Sequence, residues 1–463
     1  MDLGFFSLDD QSPLYNQIYG AIKTSIENGR LSAHARLPSI RSLASSLSVA
    51  KITVERAYEQ LYSEGYIIKN LNARHSIAAI ELPHWENAAP PSLPLPDNTA
   101  PPVLFDFSSS QMDSQGFDFG SWKRYLGRTL EDNDRLLAYG EIFGEQALRQ
   151  EICSYLFHSR GVKALPEQII IGANAQALLS LLCQLLNRKR HAIAFEDPGF
   201  KYGRQVFSDY GFAIHPVAMG EKGLDILKLA KSQANVCYVS PSHQFPSGTI
   251  MSIVQRGQLL NWAEGGERLI IEDDYDSEFR YYGNPIPALK GLDRHDKVIY
   301  LGSFSKIIPP SIRVSYMQLP IHLLHILLAH QAPYNQTAST IDQLTLASYI
   351  ADGALDKQVR RLRKIYQEKR SVFLALLRQT FGQKTTIYDN QSGLFVVVGI
   401  HNGSSAQELA EQALNTGCKV APIADFALTS TKDARILLYF SGIPNDRMQE
   451  GLDRLYAAWI QGK

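Results

Sequence analysis

The sequence predicts an α/β protein in two parts: a small N-terminal helical unit that ends in a hairpin, and a larger domain built on a parallel sheet. Three observations predict this architecture. The first 80 residues carry three apolar stripes of helical period, a proline-rich run follows, and short β-branched segments then alternate with helical ones. Because 463 residues exceed what one hydrophobic core usually serves, at least two domains are expected.

The first unit, residues 1–80, is predicted to contain three helices. A helical apolar period runs from Leu14 to Ile26, and Ser39 is a candidate N-cap for the second helix. The third helix is expected to bury one apolar face, made of Val54, Ala57, Tyr58 and Leu61. A weak alternation after Gly65 predicts a short hairpin. Three helices, a tight turn and a hairpin form a winged helix-turn-helix, which is a DNA-binding arrangement.

Local charge favours a nucleic-acid partner for this unit. Between Arg30 and Arg74 lie seven Lys or Arg against three acids, a net of +4, although the whole chain has a formal charge of zero. The start of the third helix, on the side away from its apolar face, is where base edges would be read. The alternative is an ordinary solvated helix face. The residues predicted to contact operator DNA are Arg36, Ser39, Arg41, Lys51, Thr53, Arg56 and Arg74.

A proline-rich linker is predicted over residues 81–104. Seven of the chain's 22 prolines lie between Pro83 and Pro102. Proline removes backbone donors and disfavours helix, so this run is expected to be extended.

Residues 105–463 are predicted to form an α/β domain with a large lobe at about 120–330 and a smaller α+β lobe at about 340–463. The segments EQIIIGA, HAIAFED, NVCYVSP, RLIIEDD and KVIYLGS are short, apolar and rich in β-branched residues, with helical segments between them. A long charged helix is expected over residues 357–377, followed by the strands FVVVGI and ARILLYFSGI.

Several residues of this domain suit an aldehyde cofactor that carries a phosphate. Lys306 follows a predicted strand and supplies an amine for a Schiff base. Asp273 is the candidate partner of a ring nitrogen, and Tyr275 of a phenolic oxygen. Each fragment alone also has an ordinary reading as a solvated loop, and their order along the chain favours the cofactor. The residues expected to bind the phosphate are Ser303, Ser305, Arg313, Asn174, Ala175 and Gln176.

Two stretches resemble known families. The segment RLPSIRSLASSLSVAKITVERAYEQLYSEGYI resembles the GntR family of bacterial regulators, and the likeness covers most of residues 12 to 70. Two apolar residues, Ala50 and Ile52, stand where that family commonly has polar ones, and the wing at 72–76 lacks the usual glycines. The order of EDPGF, SPSHQFPSG, EDDY and SFSK resembles the fold-type I aminotransferases over about residues 105 to 460.

The second resemblance implies pyridoxal 5′-phosphate (PLP) as the cofactor and a dimer that shares its sites. It implies that Phe200 or Tyr202 lies near the ring and that His243 lies near the cofactor oxygen. It further implies that Tyr139 reaches the phosphate of the partner subunit and that Arg435 receives a ligand carboxylate. Two departures are Phe245, in place of a ring-contacting Asn, and Ser315, in place of a Gly.

Together the two parts resemble the MocR subfamily of GntR-type regulators over essentially the whole chain. The resemblance implies a homodimer, in some members with head-to-tail domain exchange, that binds operator DNA and senses PLP or a PLP–amino acid adduct. Control of vitamin B6 synthesis genes is the favoured role, and a regulator that answers to γ-aminobutyrate or another amino acid is the alternative. No residue is assigned a catalytic role, although weak residual transaminase activity is compatible with the motifs. Two rivals remain: a working aminotransferase with an inert appendage, and a regulator whose body has lost the cofactor.

Composition excludes several other classes. The four cysteines are dispersed without a CxxC pair, which argues against a zinc or disulfide framework and fits a reducing cytoplasm. The N-terminus lacks the pattern of a signal peptide, and no run reaches 18 apolar residues, so neither export nor a membrane partner is expected.

Overall fold

The computed structural model describes residues 12–70, 74–80, 102–131, 133–220, 223–281, 286–329, 335–388, 392–429 and 433–461. The chain divides into two compact units, residues 1–99, here called the head, and residues 100–463, here called the body. The predicted linker lies outside the described residues, except for 102–104.

The described part of the head contains three helices and one hairpin, as the sequence predicts. The elements are α1 Leu14–Glu27, α2 Ile40–Ser46, α3 Lys51–Ser63, β1 Ile67–Lys69 and β2 His75–Ile77.

One hydrophobic cluster holds the head together. Ile18 and Ile22 of α1 are fully buried, and they belong to the same cluster as Val54 and Leu61 of α3. The hydroxyl of Ser39 accepts a hydrogen bond from the backbone of Ser42 at 3.1 Å, which confirms the predicted N-cap of α2.

The hairpin is a wing that the preceding chain extends. β1 and β2 are antiparallel, with Ile67 opposite Ile77. The backbone of His34 donates to Ile77 and that of Leu37 donates to His75, both at 3.0 Å. Residues 34–37 therefore line the wing before the chain enters α2, and they fix the wing against the helices.

The described residues of the body form one sheet of eight strands and one sheet of four strands, besides a two-stranded pair. Its elements are β3 Phe105–Asp106, α4 Phe119–Glu131, α5 Asn133–Leu136, α6 Gln146–Arg160, β4 Ile169–Gly172, α7 Ala175–Leu185, β5 Ala192–Asp197, α8 Lys201–Asp209, β6 Ala213–Gly220, β7 Gly223–Leu224, α9 Ile226–Lys231, β8 Val236–Val239, α10 Ile253–Glu264, β9 Leu269–Asp274, α11 Leu289–Leu292, β10 Val298–Ser303, β11 Ser315–Gln318, α12 Ile321–Ala329, α13 Thr340–Ala351, α14 Ala354–Phe381, β12 Thr385–Tyr388, β13 Phe395–Ile400, α15 Ala406–Asn415, β14 Cys418–Lys419, β15 Ala421–Pro422, β16 Arg435–Tyr439 and α16 Met448–Tyr456.

The larger sheet has the strand order β4-β11-β10-β9-β8-β5-β6-β7. The pairs from β10 to β6 are parallel, whereas β11 is antiparallel to both β10 and β4. All five predicted strands of the large lobe are present. The sheet is not purely parallel as predicted, because β11 is antiparallel to its two neighbours and β7 is antiparallel to β6. The sequence does not predict β11 because its four residues, SYMQ, are few and partly polar. The carboxyl ends of β8, β9 and β10 meet at one edge, where ligands of α/β sheets bind.

The smaller sheet is antiparallel, in the order β12-β13-β16-β15. The predicted long helix is α14, which runs a few residues further at each end than the expected 357–377. The short strand β3 pairs with β14, so the first described segment of the body packs with the small lobe. This pairing places residues 105–110 close to the junction of the two lobes.

Candidate DNA-binding and cofactor-binding sites

In the head, the predicted DNA-contacting residues lie at the surface. Helix α3 buries Val54 and Leu61 and leaves Lys51 and Arg56 exposed, while Thr53 is partly buried. On α2, Arg41 is exposed beside the N-cap Ser39. The first turns of both helices thus present cations and a hydroxyl to solvent, as contact with phosphates and base edges requires.

The remaining two predicted contacts belong to the wing. Arg36 is exposed and its backbone bridges to Ser76 of β2, and Arg74 is exposed at the start of the same strand. The residues 72 and 73 of the predicted wing tip lie outside the described residues.

In the body, the acidic run at the end of β9 is divided between the two faces of the strand. Glu272 accepts backbone hydrogen bonds from Leu289 and Lys290, both at 2.8 Å. Asp274 pairs with Arg160 at 2.7 Å and accepts from the hydroxyl of Tyr300 at 2.6 Å. Since side chains alternate along a strand, Asp273 points to the opposite face.

Asp273 is buried, and its carboxylate has one hydrogen-bond partner among the described residues. The hydroxyl of Tyr238, on β8, donates to Asp273 Oδ2 at 2.6 Å. The ring of Phe200 stacks on Tyr238 with centroids 6.2 Å apart. Burial raises the pKa of Asp273 to about 7, against the opposing effect of the Tyr238 hydrogen bond. A cation placed against Asp273 would reverse this rise, because it favours the carboxylate.

His243, which is buried, and Tyr275, which is partly buried, form a second cluster beside Asp273. His243 Nδ1 lies 2.8 Å from Asp276 Oδ2 and 3.2 Å from the hydroxyl of Tyr275. The ring of Phe395, on β13, stacks on His243 with centroids 4.6 Å apart. Gly393 is required here, because a Cβ at its positive φ of 74° would come within 1.9 Å of the imidazole. The small lobe therefore encloses this side of the site.

Lys306 lies in the turn that follows β10. Its amine donates to the hydroxyl of Ser110, in the segment that β3 anchors to the small lobe. Burial lowers the pKa of Lys306 below its usual range, and the nearby carboxylate of Asp276 opposes this shift. A lowered pKa increases the neutral fraction of the amine, which is the nucleophilic form that attacks an aldehyde.

The predicted phosphate residues lie on two elements. Asn174 caps α7 by accepting from the backbone of Ala177 at 3.0 Å, so Ala175 and Gln176 form the first turn, where backbone N–H groups have no partner inside a helix. After β10, Ser303 accepts from Ser315 at 3.0 Å and donates to Ser305 at 2.9 Å.

The predicted phosphate arginine, Arg313, lies between these hydroxyls in the chain. It is exposed, and its φ of 58° is rare for a residue with a side chain. Ser315 stands where the aminotransferases commonly have a Gly, and its hydroxyl hydrogen-bonds to that of Ser303.

Three predicted residues lie further from Asp273 and Lys306. Tyr202 is 56% exposed, and its ring meets that of Phe200 edge-on with centroids 6.0 Å apart. Tyr139 is 99% exposed. Arg435 lies at the start of β16, where Asp433 binds it through both carboxylate oxygens and the ring of Tyr388 lies 5.3 Å from the guanidinium carbon. Arg435 is therefore already neutralised by a neighbour, and its role with a ligand carboxylate stays a prediction.

Three residues of the site were missed by sequence reasoning: Tyr238, Ser110 and Asp276. Tyr238 lies within the apolar strand VCYV and looks like core, while Ser110 is 196 residues from the lysine that it contacts. Only Asp276 carried a signal, as an acid one residue beyond Tyr275 in EDDYDSEF.

Two family models match the chain in the same order as the two units. The model for bacterial regulatory proteins of the gntR family matches residues 14–71, and the model for aminotransferases of class I and II matches residues 103–455. A solved structure, the kynurenine aminotransferase of Pyrococcus horikoshii, covers 77% of this chain and 91% of its own, at a TM-score of 0.70 and 24% identity. The fold of the body is thus that of a fold-type I aminotransferase.

Curated relatives carry both units. The HTH-type transcriptional regulator YdeL of Bacillus subtilis is 38% identical over 96% of this chain and 97% of its own. The probable rhizopine catabolism regulatory protein MocR of Rhizobium meliloti is 28% identical over 98% and 95%. The pyridoxine biosynthesis transcriptional regulator PdxR of Corynebacterium glutamicum is 33% identical over 77% of each chain.

A winged helix fused to an aminotransferase-like body defines a class of DNA-binding transcriptional regulators. Within that class, this chain belongs to the MocR subfamily of GntR-type regulators. The family match confirms the predicted cofactor, PLP, and the residues present fit it. The pKa of the Lys306 amine is lowered, and the start of α7 provides backbone N–H donors. The buried carboxyl of Asp273 forms no ion pair within the part of the chain that the structure describes.

No helix in the described ranges is long and apolar enough to cross a membrane. The same ranges contain no group of three His, Cys, Asp or Glu residues that could hold a metal ion.

Proposed function

We propose that this protein binds operator DNA through its head and senses PLP through its body, and that it controls genes of vitamin B6 synthesis. One observation carries the proposal: the buried carboxyl of Asp273 and the partly buried side chains of Lys306 and Tyr275 lie in a body that is fused to a winged helix with an exposed basic face. As a DNA-binding regulator it would act in the cytoplasm, where the operator lies.

The side chains of the body suggest how PLP would be held. Lys306 would supply its amine, Asp273 would hold a proton on the ring nitrogen, and Tyr275 would contact the phenolic oxygen. Bound in this way, PLP supplies an electrophilic carbon that reacts with amines. Tyr238 would orient Asp273 through their 2.6 Å hydrogen bond.

Two features favour PLP itself over an amino acid as the effector. Arg435 is neutralised by Asp433, so it offers little to a second carboxylate. The segment Phe200-Lys201-Tyr202 carries no arginine that could replace it, and Lys201 lies over the rings of Tyr202 and Phe426. One relative is named as a pyridoxine biosynthesis regulator, which supports the same choice. A regulator that answers to a PLP–amino acid adduct, γ-aminobutyrate included, is the alternative.

We further propose that the body senses its ligand instead of turning it over, with at most weak transaminase activity. Phe245 supports this reading, because its ring packs against Phe426 with centroids 4.8 Å apart, where an amide would contact the cofactor ring in the resembling enzymes. An aromatic ring cannot donate the hydrogen bonds that an amide donates.

We propose a homodimer as the active form, with head-to-tail domain exchange as one arrangement. Leu137 is 87% exposed and Tyr139 is 99% exposed, and both precede the buried Glu145 that Arg135 pairs with. Two neighbouring apolar side chains with this degree of exposure favour a partner surface. Sedimentation of the full chain would measure the assembly, and a monomer at micromolar concentration would contradict it.

The decisive experiment measures operator affinity of the full chain with and without PLP. The duplex is the intergenic DNA next to the chain's own gene, and PLP is expected to change the affinity of wild-type protein but not of Lys306→Ala. Equal effects of PLP on both proteins would contradict sensing through Lys306. A turnover assay with amino acid and keto acid runs in parallel, and rates typical of an aminotransferase would favour the enzyme reading.

A further inference from the structure

We propose that Ile52 reads a base in the major groove by packing against the 5-methyl group of a thymine. The inference rests on the proposed DNA-binding function of the head, and it names a residue and the chemical group that it selects.

Ile52 contributes nothing visible to the fold of the head. Its side chain is 56% exposed, whereas its neighbours Val54 and Ala57 are fully buried. Among the described residues, Ile52 is absent both from the hydrophobic cluster of the head and from the residues packed against that cluster. A single exposed apolar side chain is ordinary, so exposure alone would carry no argument.

The position of Ile52 supplies that argument. It is the second residue of α3, between the exposed cation Lys51 and the exposed Arg56 one turn later. Residues at the N-terminal end of a recognition helix are those that reach base edges. In the major groove the thymine methyl is the apolar group of the base-pair edge, and it is matched by apolar side chains.

The cap of α3 points the same way. Ala50 is the N-cap and makes no side-chain hydrogen bond, although Ser, Thr, Asp or Asn there would stabilise the helix. Ser39, at the equivalent position of α2, does form its cap. The start of α3 therefore carries two exposed apolar side chains, Ala50 and Ile52. Polar side chains at these positions would make the head more stable in the absence of DNA.

The test combines protein and base substitutions. Full-length wild type, Ile52→Ser and Tyr62→Ser each select binding sites from a randomised duplex library, and the consensus sequences are compared. Tyr62 is the matched control because it is 53% exposed on the last turn of the same helix. In the wild-type consensus, each invariant thymine is then replaced by deoxyuridine, which removes only the methyl group.

For wild type and Tyr62→Ser, deoxyuridine at one thymine of each half-site is expected to weaken binding about fourfold, the factor for one methyl-sized contact. For Ile52→Ser the same replacement is expected to have no effect, and preference for thymine at that position disappears. An equal deoxyuridine effect in wild type and Ile52→Ser, or no sensitive thymine at all, overturns the inference and leaves DNA binding intact. Failure of the wild type to enrich any sequence overturns the proposed function and this inference with it.

Discussion

The candidate sites of the head and of the body are built in opposite ways. In the head, Arg41, Lys51 and Arg56 are exposed. In the body, Asp273 and His243 are buried and Tyr275 is partly buried, and hydrogen bonds tie each of them to a partner from another segment. A residue on the surface of the head can thus be replaced without disturbing the core, whereas a residue of the body's site cannot. The comparison predicts that function and stability separate in the head and are coupled in the body.

The largest effect is expected from Lys306→Ala. Removing the amine should abolish the absorbance near the visible edge that wild-type protein gains with PLP, because the lysine-linked cofactor gives rise to it. Titration of PLP into both proteins measures this. The matched control is Lys201→Ala, since Lys201 lies over the rings of Tyr202 and Phe426 and is not predicted to bind the aldehyde of PLP. Loss of the band in the control, or its persistence without Lys306, would contradict the assignment.

Asp273→Asn should have the next largest effect. Loss of a charge-assisted hydrogen bond to a cationic ring nitrogen is expected to weaken PLP binding by about 10- to 100-fold. Tyr238→Phe, which removes the hydroxyl 2.6 Å from Asp273, should cost about fivefold. Equilibrium titration at pH 8 measures both, and an effect of Tyr238→Phe as large as that of Asp273→Asn would mean that the tyrosine contacts the cofactor itself.

The raised pKa of Asp273 adds a pH dependence with a defined sign. In the cofactor-free protein this carboxyl has a pKa of about 7, so below pH 7 it is protonated and must lose its proton to pair with a cation. PLP affinity should therefore rise as pH increases towards 7 and level off above it. Deprotonation of the Lys306 amine also raises PLP affinity as pH increases. The difference between the pH profiles of wild type and Asp273→Asn therefore isolates the contribution of the carboxyl.

Much of both sites could be predicted from the sequence, and the reason differs between the units. The head was predicted from local signals: the apolar period of α3 left Lys51 and Arg56 on the outer face. In the body, Lys306 and Asp273 were predicted because each follows an apolar strand in a recognisable order. Their partners Ser110 and Tyr238 were not, because those contacts join segments 196 and 35 residues apart.

Arg435 shows the converse limit. The resemblance to the aminotransferases implies that Arg435 receives a carboxylate, but nothing in the strand segment indicates that Asp433, two residues earlier, binds it through both oxygens. Whether an arginine is available to a ligand depends on the rotamers and on neighbours such as Tyr388, which belong to the tertiary structure.

In the head, Arg41→Ala should weaken DNA binding without changing stability. Loss of one phosphate contact is expected to lower affinity by several-fold and to reduce the slope of log affinity against log salt by about 0.9. Binding measured at several salt concentrations tests this, with Arg30→Ala as a charge-matched control, because Arg30 is exposed but is not among the predicted DNA-contacting residues. If Arg30→Ala changes the slope equally, the effect comes from net charge and not from the predicted face.

The smallest effect is expected from Tyr58→Phe. It tests whether a residue of the head couples DNA binding to stability, as the site residues of the body are expected to couple cofactor binding to stability. Tyr58 is buried, donates to the backbone of Pro38 at 3.1 Å, and packs its ring edge-on against His75 of the wing. Tyr58→Phe should lower the free energy of unfolding of the head by about 1 kcal/mol, which hydrogen exchange of head amides in the full chain measures. DNA affinity should change less than twofold where the head is folded, because the hydroxyl faces the interior. A loss of affinity as large as that of Arg41→Ala would show that the wing and α3 must be held together for DNA binding. Function and stability would then be coupled in the head as well.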